Sequence, residues 1–459
     1  MIGEKFRVTR WNKRFRNDGI VAVLHTLSLA VLYLDEQMGE VLERLKTAYS
    51  KESIIEEVGE EVFNCLVEEG LLVPDSTNDR DVLIRLREGL VSDIRLNIMY
   101  LLLTDGCNLK CRYCFEDTPS VHDFKERVMS LETVEQALRF FGRLASRYGR
   151  KDSKKIVHMY GGEPLLNQKA LRRAMECADP LKDQGILPQE TEFVVVTNGV
   201  LMTKDLAEFF AKHRVSVGIS IDGPRALNNL HRIAKKRGVD VFSSAKRAYD
   251  IARSAGVSVG LSATLTPEVV DNFDAVLSFF VDDLGIQDGV SFNILHYNPA
   301  VGVDDRYFER AAECLIRAFC LFREKGIHEE RMMRKVNAFV NQEPMLADCG
   351  VIGNQVVIAP DGTVGVCQDF VKPRTYFQGS VYNEGYDPVE QGLFESWKRR
   401  SPLFMEQCFD CEAVAMCGGG CPASVELKTG DRWNTDERIC PHSKRSLEWL
   451  IWESYRASA

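Results

Sequence analysis

The chain has 459 residues, 45% of them hydrophobic and 27% charged. That balance belongs to a folded globular protein of about three domains, at roughly 150 residues each, and excludes collagen-like, low-complexity and wholly disordered chains. Lys+Arg of 58 against Asp+Glu of 67 leave a formal net charge of −9, which argues against a nucleic-acid binder that needs a basic footprint.

The longest apolar run, Ile20 to Leu34, is interrupted by His25, Thr26 and Ser28. It is too short and too polar to cross a bilayer. The N-terminal charges Lys5, Arg7, Arg10, Lys13, Arg14 and Arg16 lead into no apolar signal core, so the expected location is the cytoplasm, with no membrane partner.

Residues 1–95 read as a small α+β unit. Strands are expected around Val21 to Leu34, then helices over Met38–Ala48, Glu52–Val58 and Glu60–Glu69. Leu71–Pro74 follows as a short strand, completing a winged-helix-like order, and Asp75–Asp81 is a polar linker. Residues 96–335 alternate strand and helix. The expected strands are Leu96–Thr104, Ile156–Tyr160, Phe193–Thr197, Val215–Ile221, Val257–Thr264 and Val290–Leu295. The helices between and after them are Leu131–Tyr148 with Ser130 as N-cap, Lys169–Lys182, Thr203–His213, Ser243–Ala255, Asp271–Val281 and Asp305–Lys325. Six βα repeats predict an α/β fold, a partial (β/α)6 TIM barrel open on one side, with its site at the C-terminal strand ends. Residues 336–459 form a third, cysteine-rich domain that closes with a helix from Ser443 to about Tyr455.

Cysteine is the unusual residue. There are 14, and in a reducing compartment clustered cysteines bind metal more often than they pair. Cys107, Cys111 and Cys114 stand at the end of the first barrel strand, spaced Cys-x3-Cys-x2-Cys. Three thiolates on one loop can hold three corners of a cubane iron–sulfur cluster and leave one iron open, whereas a closed zinc site wants a fourth ligand. Seven more lie in the last domain: Cys349, Cys367, Cys408, Cys411, Cys417, Cys421 and Cys440. A pair of structural zincs is the plain alternative there. Cys65, Cys177, Cys314 and Cys320 fall in helical patterns and read as ordinary core thiols.

Cys107-Asn-Leu-Lys-Cys111-Arg-Tyr-Cys114 resembles the signature of the radical S-adenosylmethionine (SAM) superfamily. The resemblance implies a [4Fe–4S] cluster on these cysteines, SAM on its open iron, and reductive cleavage to a 5′-deoxyadenosyl radical that takes a hydrogen atom from the substrate. Other strand ends are similar to the family's motifs. Gly161-Gly162-Glu163-Pro164 resembles the Gly-Gly-Glu motif at the SAM amino group, and Thr197-Asn198-Gly199 the turn near its methionine and ribose. Ser220-Ile221-Asp222-Gly223-Pro224 resembles the motif at ribose and carboxylate. Arg232 fits the basic residue that follows, with Arg237 as the alternative, and Asn228-Asn229 stands where relatives often carry His-Asp.

The spacing of the last seven cysteines resembles the SPASM extension of the same superfamily, which implies two auxiliary [4Fe–4S] clusters and three in all. By that resemblance Cys408, Cys411, Cys417 and Cys440 hold the distal one, and Cys349, Cys367 and Cys421 the proximal one. Gln355 stands near where some relatives add a fourth ligand, which leaves a place for a substrate cysteine, a water, or a carboxylate such as Asp348 or Asp369. The front unit is similar to the recognition element of ribosomal peptide-modifying pathways, in which a leader pairs with a strand edge; the alternative is a stabilising cap.

Together these resemblances imply a peptide maturase. The expected reaction is a thioether crosslink on a leader-bearing precursor peptide, with electrons from a donor such as flavodoxin or ferredoxin. Carbon–carbon crosslinking is one alternative. Ser or Cys oxidation as in anaerobic sulfatase maturation is another, and would use Asp369, next but one to Cys367, as catalytic base. A zinc-bound interaction scaffold is the alternative without catalysis.

Overall fold

A computed structural model describes residues 4–92, 94–114 and 126–458. In the front unit the strands Asn12–Asn17, Ile20–His25 and Val31–Asp35 form an antiparallel sheet in that order. Side chains alternate across a strand, so Val21 and Val23 face one way and Ala22 and Leu24 the other. The valines pack with Leu34, Leu42 and Leu66 beneath three helices, Glu36–Arg44, Lys51–Val58 and Glu60–Glu68. Ala22 and Leu24 pack against Leu447, Leu450 and Ile451 of the last helix. Both faces are covered, which is why this run is apolar without alternation. Asp35 and Ser50 cap the first two helices, accepting from the amides of Met38 and Ser53. A strand that was not anticipated, Lys5–Val8, lies between Tyr49–Ser50 and the wing strand Leu72–Pro74.

The expected linker runs into a helix, Arg80–Ser92. Its buried Leu83 joins Trp11, Leu27, Leu403 and Val414 in a small core, so the front unit and the C-terminal region share apolar packing. The signal was present as Leu83, Leu86 and Leu90 at helical spacing.

The six barrel strands are Ile98–Thr104, Lys155–Gly161, Thr191–Thr197, Ser216–Ser220, Val259–Leu265 and Gly289–Ile294. Each is parallel to the next. Ser130 and Thr203 cap their helices as expected. The helix expected over Asp271–Val281 is broken. Pro267–Asp271 ends at Asn272, whose φ of −115° and ψ of 30° are not helical, and Phe273–Ser278 restarts it before a wider turn at Phe279–Asp283. A short helix, Arg225–His231, fills the loop after the fourth strand.

The C-terminal region extends the barrel sheet. Gln355–Ile358 pairs in parallel with the first barrel strand, followed by antiparallel Thr363–Gly365 and Phe377–Ser380. His328–Glu329 adds to the other edge, giving one open sheet of ten strands. The barrel is partial, as the six repeats imply. The helix Glu330–Val340 was not anticipated, and the division at 335/336 falls inside it. The last helix starts earlier than expected, at Ile439, which puts Cys440 in its first turn. Among the described residues no helix is long and apolar enough to cross a membrane.

Candidate functional site

The loop bearing Cys107, Cys111 and Cys114 is stitched to the segment after the fourth barrel strand. The amides of Lys110 and Arg112 donate to the carbonyls of Ile233 and His231 at 2.8 and 3.0 Å, and the Lys235 amide donates to the Asn108 carbonyl at 2.9 Å. Between the last two cysteines, the Tyr113 hydroxyl donates to Asp222 Oδ2 at 2.5 Å. Arg232 grips the same carboxylate with two bonds of 2.9 Å and lies over the Tyr113 ring. The Thr264 amide supplies a fourth bond, at 2.9 Å. Asp222 is thus fully engaged inside the protein and is 1% exposed. It positions the cysteine loop and Arg232 and does not itself line the cavity. Arg232 is buried and lines the cavity, whereas the alternative Arg237 is exposed. The Asn228-Asn229 departure also has a local role. Asn228 Oδ1 accepts from the Asp222 amide, and Asn229 Oδ1 from the Phe242 amide.

The second strand end approaches this loop closely. A Cβ on Gly162 would sit 2.3 Å from the Gly106 carbonyl oxygen and 3.1 Å from Cys107 Cβ. Only glycine lets the two strand ends meet there. Gly162→Ala therefore displaces the Cys107 backbone, and SAM cleavage is expected to fall at least tenfold, measured as 5′-deoxyadenosine formed per chain. Glu163 is buried and ties the second strand end to the third. It accepts from the Leu165 amide, Thr197 Oγ1 and the Asn198 amide at 3.0, 2.7 and 2.8 Å. Three of its roughly four acceptor positions are thereby used by the protein. Burial pushes its pKa up, against those three bonds. Asn198 Nδ2 reaches Asn108 Oδ1 at 2.8 Å, joining the third strand end to the cysteine loop. Pro164 starts a short helical turn and does not line the cavity.

These strand ends open onto a cavity of about 1400 Å³. That exceeds the roughly 300–1,000 Å³ of a single small-molecule pocket. A barrel interior is normally filled by bulky side chains. Here Val196, Gly218 and Gly260 are register neighbours on consecutive strands and all three line the cavity, two of them without a side chain. The first two strands add Tyr100 stacked on His158 at 4.8 Å. Burial lowers the His158 pKa to about 4, so the ring is neutral near pH 7.

The cavity is lined by two groups of cysteines from different parts of the chain, Cys107, Cys111 and Cys114 from the barrel loop and Cys349, Cys367 and Cys421 from the C-terminal region. The structure therefore divides the last seven cysteines in two. The charges of Cys421 and Cys349 act on Cys367, while those of Cys417, Cys408 and Cys411 act on Cys440. None of the second group lines the cavity. Cys65, Cys177, Cys314 and Cys320 lie in helices away from it, and burial raises each of their thiol pKa values, to about 12 for Cys314. Such thiols are inert.

Asp369 and Asp348 both line the cavity, in different electrostatic settings. Asp348 lies 3.4 Å from Arg334, and although burial pushes its pKa up, Arg334, Arg331, Lys335 and Arg438 hold it below the usual carboxylate range. Asp369 has only Arg438 against the burial, and its pKa rises to about 6. His296 Nδ1 is 4.0 Å from Asp369, and His296, Asp369 and Cys421 bring ligand atoms within 4.8 Å of one another. The sequence reading missed His296, although it stands just past the sixth strand, where the other strand ends supply site residues. Gln355 donates to the Val366 carbonyl at 2.8 Å and so is engaged in the sheet. The donor sets fit iron–sulfur clusters: soft thiolates converge on one chamber from two parts of the chain.

The pattern of the Radical SAM superfamily matches residues 101–280. The chain is 22% identical to the radical SAM cyclopropyl synthase TigE of Paramaledivibacter caminithermalis, over 95% of this chain and 93% of that protein. It is 24% identical to a cysteine-type anaerobic sulfatase-maturating enzyme of Clostridium perfringens, over 71% of this chain and 88% of that enzyme. Its fold is similar to that of Streptococcus suis SuiB bound to precursor peptide SuiA. There the TM-score is 0.55 and the identity 14%, with 95% of this chain and 99% of that one covered.

Proposed function

We propose that this chain, an enzyme of the radical SAM superfamily related to peptide and sulfatase maturases, modifies a ribosomally made precursor peptide by joining a cysteine sulfur to a carbon of the same peptide. The observation that carries the reading is the single chamber lined by both Cys107, Cys111 and Cys114 and Cys349, Cys367 and Cys421. Bound at the first three cysteines, a [4Fe–4S] cluster with SAM supplies a 5′-deoxyadenosyl radical that removes a hydrogen atom from carbon. Gly161, Gly162, Thr197, Asn198, Ser220 and Arg232 line the wall beside those cysteines and hold SAM in place. Arg232, fixed by Asp222, offers a positive charge suited to the SAM carboxylate. Among the described residues no eighth cysteine stands beside Cys349, Cys367 and Cys421, so a peptide cysteine is the soft ligand that fits there. Asp369 takes the thiol proton as the peptide cysteine enters that place. The front unit holds the leader, and a flavodoxin or ferredoxin supplies electrons.

The Asp369 role has a pH signature. Burial raises its pKa from 3.8 to about 6, so the basic carboxylate forms only above that pH. Peptide product is expected to rise with pH through about 6, while SAM cleavage in the absence of peptide does not follow that profile. Asp369→Asn is expected to lower product about 10²–10⁴-fold and to remove the pH step.

A second reading is carbon–carbon bond formation. It is favoured by TigE, a named cyclopropyl synthase that aligns with 95% of this chain. Ser or Cys oxidation draws on the shorter match to the sulfatase-maturating enzyme. The deciding experiment incubates the anaerobically reconstituted enzyme with SAM, reductant and any short cysteine-containing peptide that its neighbouring genes encode. The proposal expects a product lighter by two hydrogens with one free thiol lost per crosslink. A product that keeps every thiol and loses the same mass transfers the assignment to carbon–carbon coupling.

A further inference from the structure

Two fully buried cations flank the cysteines that lie outside the chamber. Lys335, on the helix Glu330–Val340, is 2% exposed. Its ammonium donates to the Met416 carbonyl, to the Cys417 carbonyl at 3.4 Å and to Ser443 Oγ at 3.2 Å, three residues beyond Cys440. Arg400 is also 2% exposed. Its guanidinium donates to the carbonyls of Arg432 and Asn434, the latter at 3.1 Å, and touches Met405 Sδ at 3.0 Å. Among the described residues neither cation has a carboxylate as hydrogen-bond partner. The nearby carboxylate Asp436 is already gripped by Arg438 through bonds of 2.9 and 2.7 Å. A buried cation without a hydrogen-bonded carboxylate relies on anions close by to offset its desolvation. Asp436 acts most on Arg400, followed by Cys417, Cys408 and Cys421, and on Lys335 the largest charge is that of Cys417, followed by Asp348.

The chamber-facing cysteines have a different setting. The cations near them are matched by acids: Arg438 by Asp436 at 2.7 Å, Arg334 by Asp348 at 3.4 Å, and Arg331 by Glu330. His296 is held neutral by burial, and Asp369 adds a negative charge when ionised. The fixed field therefore runs from a balanced or acidic site at the chamber wall to a cationic one behind it.

We infer that Lys335 and Arg400 are the counter-charges of an anionic iron–sulfur cluster on Cys408, Cys411, Cys417 and Cys440, and that they set its reduction potential above that of the chamber-facing cluster. The inference rests on the reading of the seven cysteines as two cluster sites. Adding an electron to a cluster makes it more negative, and a fixed cation favours that state. An electron released when the carbon–sulfur bond closes in the chamber, the thiol proton having gone to Asp369, thus comes to rest at the distal site. From there it leaves to an oxidised carrier of the flavodoxin or ferredoxin class. Lys335 and Arg400 are positioning residues in this scheme, because neither lines the chamber.

The test is a redox titration, followed by electron paramagnetic resonance, of the reconstituted full-length enzyme. Lys335→Met and Arg400→Met are each expected to move the same one of three midpoint potentials to a more negative value. Lys335→Arg and Arg400→Lys, which keep the charge, are expected to leave it near wild type. The moved signal should not be the one that changes on adding SAM. Three unmoved potentials in both methionine variants would overturn the inference, as would a shift confined to the SAM-responsive cluster. An iron content of only two cubanes in the wild type would instead remove the reading of the cysteines on which it rests, and the inference with it. Because the two cations sit on different elements, a folding failure in one variant leaves the other to decide.

Discussion

Replacing Cys107, Cys111 and Cys114 together by alanine is expected to abolish SAM cleavage, lowering 5′-deoxyadenosine formation by at least about 10³-fold, and to leave in place the iron proposed for the last seven cysteines. The effect is large because the three thiolates sit on one loop at the chamber, with no other cysteine of the described chain on that loop. The seven C-terminal cysteines are held by other elements. Cys349, Cys367 and Cys421 precede short helical turns, Cys408 and Cys417 end two others, and Cys440 is in the first turn of the last helix, none of them on the loop. Iron per chain is therefore expected to fall by about one third, one cubane of three. Substantial 5′-deoxyadenosine from the triple variant under reducing conditions would refute the assignment of the loop.

Asp222→Ala is expected to destabilise the protein by about 3–5 kcal/mol, the cost of leaving a buried charge without its partner. Asp222 and Arg232 are 1% and 8% exposed, and the carboxylate accepts four bonds, from Tyr113, Arg232 twice and the Thr264 amide. Its loss strands the guanidinium and frees Tyr113, so the loop carrying Cys111 and Cys114 loses its anchor. Urea denaturation followed by fluorescence reads the first effect, and iron retained in the SAM-responsive cluster reads the second. Asp222→Asn keeps one acceptor oxygen and should fall between the two. A wild-type urea midpoint with full SAM cleavage in Asp222→Ala would contradict the latch.

Local chemistry was legible in the sequence and long-range pairing was not. Ser130 and Thr203 mark helix starts because a hydroxyl before an apolar repeat satisfies orphan amides, and both do so. The six strands were visible as apolar runs. The pairing of Gln355–Ile358 with the first barrel strand was not, since it joins segments about 250 residues apart and leaves no local mark. The helix Arg80–Ser92 hid behind a polar stretch, and Glu330–Val340 begins at Glu329, an uncommon cap residue that accepts from the amides of Arg331 and Met332. Within the site, the strand-end motifs located Glu163 and Asp222 without revealing that both carboxylates are spent largely on holding strand ends together. His296 was missed because it carries no motif and gains its meaning from Asp369 and Cys421 across the chamber.

Two cysteine groups line one chamber and a third, Cys408, Cys411, Cys417 and Cys440, lies outside it. The most direct test is a joint count of iron, acid-labile sulfide and zinc on one anaerobically reconstituted sample, with 5′-deoxyadenosine measured on the same material. About 12 iron and 12 sulfide per chain are expected, with no stoichiometric zinc and with 5′-deoxyadenosine formed on addition of SAM and reductant. Zinc without sulfide, or about 4 iron with the last seven cysteines unmetallated, would contradict it.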